Sequence, residues 1–218
     1  MKKTKTQNLL AGILLLVGFS VWTFLIQMVD VQPIGPNGSS VGFAALNGWF
    51  HQLTGVHWML YTLTDWLGLV PIFVCLIFAG VGFVQLVQRK SLLKVDLDII
   101  LLGVYYAFVI FGYLLFEMMP INYRPVLIDG FLEASYPSST TLLVLSVMPT
   151  LYFQAQRRLT RNVLQQAIYI ISVLFSAFMV IGRLISGVHW LTDIVGAVLL
   201  SSGIFLIYKA SVNFLSER

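Results

Sequence analysis

The chain has 218 residues, of which 58% are hydrophobic and only 10% charged, with a net charge of +4 and a mean hydropathy of +0.89. Soluble domains lie near half apolar and a quarter charged, so this composition excludes an ordinary water-soluble globule and places the chain in a bilayer. The basic balance does not point to nucleic acid, because the 13 Lys and Arg are dispersed between apolar stretches rather than gathered in one patch.

Six apolar spans follow in chain order, at residues 8–29, 67–88, 98–119, 139–156, 163–182 and 190–210. Each is near the roughly 20 residues that cross about 30 Å of hydrocarbon. A backbone in lipid must satisfy its own hydrogen bonds, so helix is expected for all six. Residues 1–218 therefore read as one all-α, polytopic membrane domain with no repeat and no separate soluble unit. The first span follows Lys2, Lys3 and Lys5 in the manner of a signal peptide, but its apolar run is too long and no small-x-small cleavage site follows, which favours a retained helix. The segment from Asp30 to Trp66 is too long for a simple turn. It opens with loop chemistry (QPIGPNGSS) and continues rich in aromatics and poor in charge, as short helices lying in the membrane interface would be. His51 and His57 lie there six residues apart without Cys or a matching acidic pair, so packing is expected of them and no metal. Cys75, the single cysteine, sits in an apolar run as packing. The fourth span is short and opens in a Ser/Thr cluster, which makes its boundary the least defined.

Counting loops alternately from a cytoplasmic N-terminus puts eleven of the 13 basic residues inside: Lys2, Lys3, Lys5, Arg89, Lys90, Lys94, Arg157, Arg158, Arg161, Lys209 and Arg218. That bias predicts both termini in the cytoplasm. The two exceptions, Arg124 and Arg183, fall on the outer side. Arg183 belongs to the stretch GRLISGVHWLTD, which carries an arginine, a histidine and an aspartate between two apolar spans. Charges at a membrane edge mark function by default. His189 and Asp193 are four apart, which on a helix puts them on one face, where the carboxylate can fix the imidazole tautomer and leave the other ring nitrogen as nucleophile or base. Arg183 would not share that face on an unbroken helix, but Gly182, Ser186 and Gly187 supply a break that folds it back. The bland alternative is a structural ion pair between Arg183 and Asp193.

Arg124 lies in EMMPINYRPVLIDG, and ASYPSSTTLL follows, where Pro137, Ser138, Ser139 and Thr140 open the fourth span. Backbone N–H groups at a helix start make an anion site that hydroxyls extend, although Ser and Thr also cap helices routinely. Two arginines, a serine-rich helix start and an oriented histidine can together clamp a phosphate and attack it.

These residues resemble the type 2 phosphatidic acid phosphatase family, which carries the blocks Lys-x6-Arg-Pro, Pro-Ser-Gly-His and Ser-Arg-x5-His-x3-Asp. Here Arg183, His189 and Asp193 are in register, with Gly182 in place of serine. Arg124 and Pro125 match the first block, with Glu117 where lysine belongs. Pro137 and Ser138 match the second, with Ser139 for glycine and Thr140 for histidine. The resemblance implies a phosphohistidine mechanism: His189 attacks phosphorus, Asp193 orients it, and Arg124 and Arg183 hold the phosphate oxygens with Ser138 and Ser139. No cofactor and no metal-ligand set is read from the chain, and a metal requirement is not legible. The family's second-block histidine protonates the leaving oxygen, which Thr140 does poorly. Loss of a general acid costs about 10²–10⁴-fold, and it costs least where the leaving group is itself a phosphate. A lipid diphosphate of the undecaprenyl type, met at the outer leaflet of a bacterial plasma membrane, is therefore the leading substrate. Three roles are open to Glu117: pairing with Arg124, the leading one; acting as the displaced acid; or recruiting a divalent ion. Asp129 and Glu133 read as solvated charges. Other readings are a non-catalytic binder or mover of phosphorylated lipids, and a lipid phosphotransferase. Oligomeric state is not legible.

Overall fold

The structure, a computed structural model, describes residues 2–215, with side chains from residue 5 onward. It is a helical bundle: α1 Lys2–Met28, α2 Ala44–Thr54, α3 Trp58–Leu67, α4 Leu69–Arg89, α5 Leu97–Met118, α6 Ser139–Arg158, α7 Asn162–Ile185 and α8 Leu191–Leu215. Among the described residues, five helical stretches are long and apolar enough to cross a membrane: Lys5–Met28, Trp58–Arg89, Leu97–Met118, Asn162–Ile185 and Leu191–Leu215. The second is longer than the 67–88 expected, because α3 continues into α4. Gly68 between them keeps helical dihedrals (φ −59°, ψ −17°), and its N–H donates to the carbonyls of Thr64 and Asp65. The segment before this span therefore contains α2, and α3 is its first ten residues.

Helix α6 is different in character. Its 20 residues rise about 30 Å at 1.5 Å each, but Ser, Thr and Gln lower its apolarity and most of it is buried. The polar groups lie one turn apart, at Ser146, Thr150 and Gln154, and tyrosines of α5 and α8 meet them. Tyr105 Oη donates to the Ser146 carbonyl at 2.8 Å, Tyr106 Oη lies 2.7 Å from Thr150 Oγ1, and Gln154 Nε2 donates to Tyr208 Oη at 2.7 Å. These cross-helix hydrogen bonds fix the helix register, although Ser146 Oγ and Gln154 Oε1 are left without a partner within the protein.

The bundle has two chemically distinct ends. At one, Lys5 Nζ donates to the Asn213 carbonyl, Arg89 pairs with Asp96 at 2.7 Å, and Arg158 pairs with Asp98 at 2.8 Å. At the other, Trp22 Nε1 donates to the Thr192 carbonyl at 3.1 Å and Asn47 Nδ2 to Thr192 Oγ1 at 3.0 Å, tying α1 and α2 to the start of α8. Arg124, the Ser138 helix start and the turn between α7 and α8 meet at this second end.

Candidate active site

The turn carrying His189 is built by glycine. Helix α7 closes when Ser186 N–H donates to the Gly182 carbonyl at 2.8 Å, and Gly187 then reverses the chain with φ +72°. A Cβ on Gly187 would lie 1.9 Å from the Gly55 carbonyl oxygen, while His57 N–H donates to the Ser186 carbonyl at 3.0 Å. Residues 55–57 thus clamp the turn, and both conformation and space demand glycine. Gly187→Ala is expected to destabilise by at least the roughly 1–3 kcal/mol that strained backbone costs. It should also displace His189, checked by thermal unfolding in detergent beside an activity assay. Gly182, where the resembled family has serine, lets α3 approach: a Cβ there would come 2.7 Å from Thr64 Cγ2.

The loop from Met119 to Ser138 brings in a second set of residues. Asp129 and Gly130 are both left-handed (φ 48° and 83°), as a tight two-residue hairpin turn requires, and Ile128 and Phe131 exchange hydrogen bonds across it. Further along, Arg124 N–H donates to the Glu133 carbonyl at 3.0 Å and Ser135 N–H to the Asn122 carbonyl at 2.9 Å. Trp190 Nε1 donates to the Tyr123 carbonyl at 2.7 Å, fastening this loop to the His189 turn. His51 packs its ring on Trp190, with centroids 5.6 Å apart, and His57 engages the Thr54 carbonyl at 2.8 Å.

At the centre, His189 is 2% exposed. Arg124 Nη1 and Arg183 Nη2 approach its Nε2 at 3.3 and 3.4 Å. Guanidinium groups only donate, so Nε2 carries the lone pair and Nδ1 the proton. Nδ1 donates to Ser135 Oγ at 3.0 Å, and Ser135 Oγ donates to Asp193 Oδ2 at 2.5 Å. The direct imidazole–carboxylate bond expected from the spacing is absent: Nδ1 lies 3.8 Å from Asp193 Oδ2, beyond hydrogen-bond range. The physical reason is that His189 precedes α8, which begins at Leu191, so the two residues do not share a helix face and Ser135 fills the gap. Asp193 is held in turn by Trp190 N–H at 2.9 Å and Asn122 Nδ2 at 3.4 Å.

Burial, and then the two cations Arg124 and Arg183, hold the His189 imidazole well below its ordinary range, against an opposing hydrogen bond with Ser135. The ring is therefore neutral at pH 6.5 and above, and protonates only well below that. A ¹⁵N-histidine titration, assigned with a His189 variant, should find its ring nitrogens unprotonated at Nε2 at pH 6.5; a midpoint at or above 6.5 would contradict this environment.

Arg183 is 1% exposed. Its guanidinium lies over the Tyr61 ring, 5.0 Å from the centroid, and 3.7 Å from Asp65 Oδ1. Its Nε and Nη1 have no hydrogen-bond partner within the protein. Buried, unsatisfied guanidinium donors beside the lone-pair nitrogen of an imidazole form a receptor for an anion with several oxygens.

The partner of Arg124 is not Glu117, as expected, but Glu133, whose Oε2 lies 3.0 Å from Arg124 Nε. The hairpin makes this choice, since 124 and 133 pair through their backbones. Glu133 is thus no free surface charge, whereas Asp129 is exposed at the hairpin tip. Glu117 is exposed on the last turn of α5, in a narrow cleft with Ser135 and Ser139. Ser138 is fully buried and committed internally: its N–H donates to the Asp193 carbonyl at 3.2 Å and its hydroxyl to Thr141 Oγ1 at 3.0 Å. Ser139 and Thr140 line a larger cavity of about 550 Å³ that also contains Asp65. Ser135, Asn122, Tyr61, Asp65 and Glu133 had no place in the sequence reading of the site. Asp129-Gly130 was the one local signal, since a hairpin there brings 133–135 back beside 122–124.

Fold and site together define a membrane-type helical bundle with a buried histidine–arginine centre at one end. No protein-family model and no curated protein sequence matches the chain. The fold is similar to the crystal structure of a transmembrane PAP2-type phosphatidylglycerolphosphate phosphatase from Bacillus subtilis, with a TM-score of 0.67 over 94% of this chain and 96% of that one, at 16% identity.

Proposed function

We propose that this protein is an integral-membrane lipid phosphatase that works through a phosphohistidine on His189. The observation that carries the reading is the pair of guanidinium groups, at 3.3 and 3.4 Å, converging on Nε2 of a buried imidazole whose other nitrogen is tied through Ser135 to Asp193. The fold shared with a phosphatase that acts on a lipid phosphate supports it.

A phosphoryl group set against Nε2 takes the arginine donors, including the unsatisfied Nε and Nη1 of Arg183, on its equatorial oxygens. These contacts strengthen as charge develops in the transition state. Nucleophilic attack by Nε2 places positive charge on the ring, and Nδ1–H passes its stabilisation to Asp193 through Ser135. Water then hydrolyses the phosphohistidine. Ser139 flanks the phosphate at the start of α6; Ser138 holds that helix start against Asp193. Thr140 is a far weaker acid than the resembled family's histidine, which favours a diphosphate lipid of the undecaprenyl type, since departing phosphate needs the least protonation from whatever donor the site holds.

Helix α6 reaches from the site to the Asp98 end of the bundle, which supports six crossings rather than five. The gathering of Lys5, Arg89, Arg157 and Arg158 at the far end supports cytoplasmic termini and an outward-facing site in a bacterial plasma membrane. Labelling of cysteines in the 157–161 loop by an impermeant reagent on intact cells would reverse that orientation. The functional test is phosphate release by the purified protein from lipid mono- and diphosphates: turnover of at least one class is expected, fastest for diphosphate. Failure on every lipid by a folded protein would sink the reading.

A further inference from the structure

On the phosphatase reading, the motif position that protonates the departing oxygen holds no acid, because Thr140 stands where the resembled family has histidine. We propose that Asp65 is the general acid of this site. It comes from the last turn of α3, a helix outside all three motif blocks, and three observations converge on it.

First, Asp65 shares the 550 Å³ cavity with Ser139 and Thr140. The α3–α4 junction is packed onto that helix start: a Cβ on Gly68 would lie 3.6 Å from Thr140 Cγ2 and 2.9 Å from the Asp65 carbonyl. Second, Asp65 Oδ1 is 3.7 Å from Arg183 Nη1, and the same guanidinium reaches His189 Nε2 through Nη2 at 3.4 Å. One guanidinium width therefore separates the carboxyl from the nucleophile, so a phosphoryl group bridging His189 and Arg183 presents an oxygen to Asp65. Third, the Asp65 side chain is 59% exposed and lines the cavity, so a bound phosphate and its leaving oxygen can reach it.

The other carboxyls are occupied elsewhere. Asp193 is fully buried on the Nδ1 side of His189, Glu133 is paired with Arg124, and Glu117 occupies the separate cleft with Ser135 and Pro137.

A lipid phosphate monoanion that takes over Arg183 frees the Asp65 carboxylate from its ion pair and hands it the P–OH proton. Nε2 forms its bond to phosphorus while the bond to the leaving oxygen breaks; that electron pair stays on the oxygen and receives the Asp65 proton. Water then attacks phosphorus and gives a proton to the Asp65 carboxylate, and the P–N pair returns to Nε2.

The test uses the full-length protein in detergent with two substrates of unlike leaving groups, dihexanoyl phosphatidic acid and p-nitrophenyl phosphate. Asp65→Asn should lower kcat on phosphatidic acid by about 10²–10⁴-fold, and on the aryl ester by less than about tenfold, because an aryl oxide departs without a proton. Asp65→Glu should retain most of the activity on both. Thr140→His in the Asp65→Asn background should restore phosphatidic acid turnover. Equal losses on both substrates, appearing mainly in KM and without rescue by Thr140→His, would overturn the proposal and reduce Asp65 to an anchor for Arg183. If the wild type turns over neither substrate while His189→Ala behaves identically, the phosphatase reading falls and the Asp65 assignment with it.

Discussion

His189→Ala is expected to abolish phosphate release while leaving the helical bundle assembled. The side chain sits in a turn rather than in a helix interface, and the turn is held by Gly187, the 55–57 segment and Trp190, none of which needs the imidazole. Removing it deletes the buried nitrogen lone pair on which both arginines converge. Asp193→Asn should also cost several orders of magnitude; in the Ser-His-Asp triad the corresponding change costs about 10⁴-fold. The cause here is slightly different. Asp193 acts through Ser135 Oγ, and an amide disturbs the acceptor set that receives Ser135 O–H and Trp190 N–H together. Residual activity near wild type in folded His189→Ala, measured by phosphate release, would remove His189 from the nucleophile's role.

Arg183→Lys is expected to lower kcat/KM by about 10²–10³-fold, the range for loss of one preorganised transition-state donor. Charge is conserved in this variant, so the loss measures geometry. Lysine has no fork with which to span Asp65, the Tyr61 face and His189 Nε2 at once, and its ammonium is more costly to bury. Circular dichroism and elution behaviour should be unchanged, because α7 does not depend on this side chain for its helix. A variant within about threefold of wild type would mean that Arg183 serves the fold and not the phosphate.

The way this site is distributed explains which parts could be read from sequence. Spans such as 98–119 and 163–182 were legible because lipid forces a long apolar run into helix. The second span was legible only from residue 67, yet Gly68 keeps helical dihedrals and joins α3 to α4, so the helix starts at Trp58. Arg183, His189 and Asp193 stood out because charged residues are rare between apolar spans. Of the three residues read as a break, Gly182 lies within α7 with Arg183, and the chain reverses at Gly187, so His189 returns toward Arg183 rather than Arg183 folding back. The assumption of a shared face for His189 and Asp193 failed because the helix starts two residues later than that reading needs.

What spacing could not supply were contacts made across the chain. Ser135 reaches His189 over 54 residues and Asn122 reaches Asp193 over 71. Tyr61 and Asp65 arrive from a helix that reads as ordinary aromatic interface. The choice of Glu133 over Glu117 for Arg124 was written in the Asp129-Gly130 turn, a signal about backbone pairing rather than about charge.

Phosphorus is expected to become covalently attached to His189 Nε2 during turnover. Rapid acid-free quenching of the purified protein with a ³²P-labelled lipid phosphate, followed by peptide mapping, tests this directly. The expected result is an alkali-stable, acid-labile label on the peptide containing His189, absent in His189→Ala and forming at least as fast as phosphate is released. Steady turnover with no label on that peptide, or with label on another residue, would contradict the account.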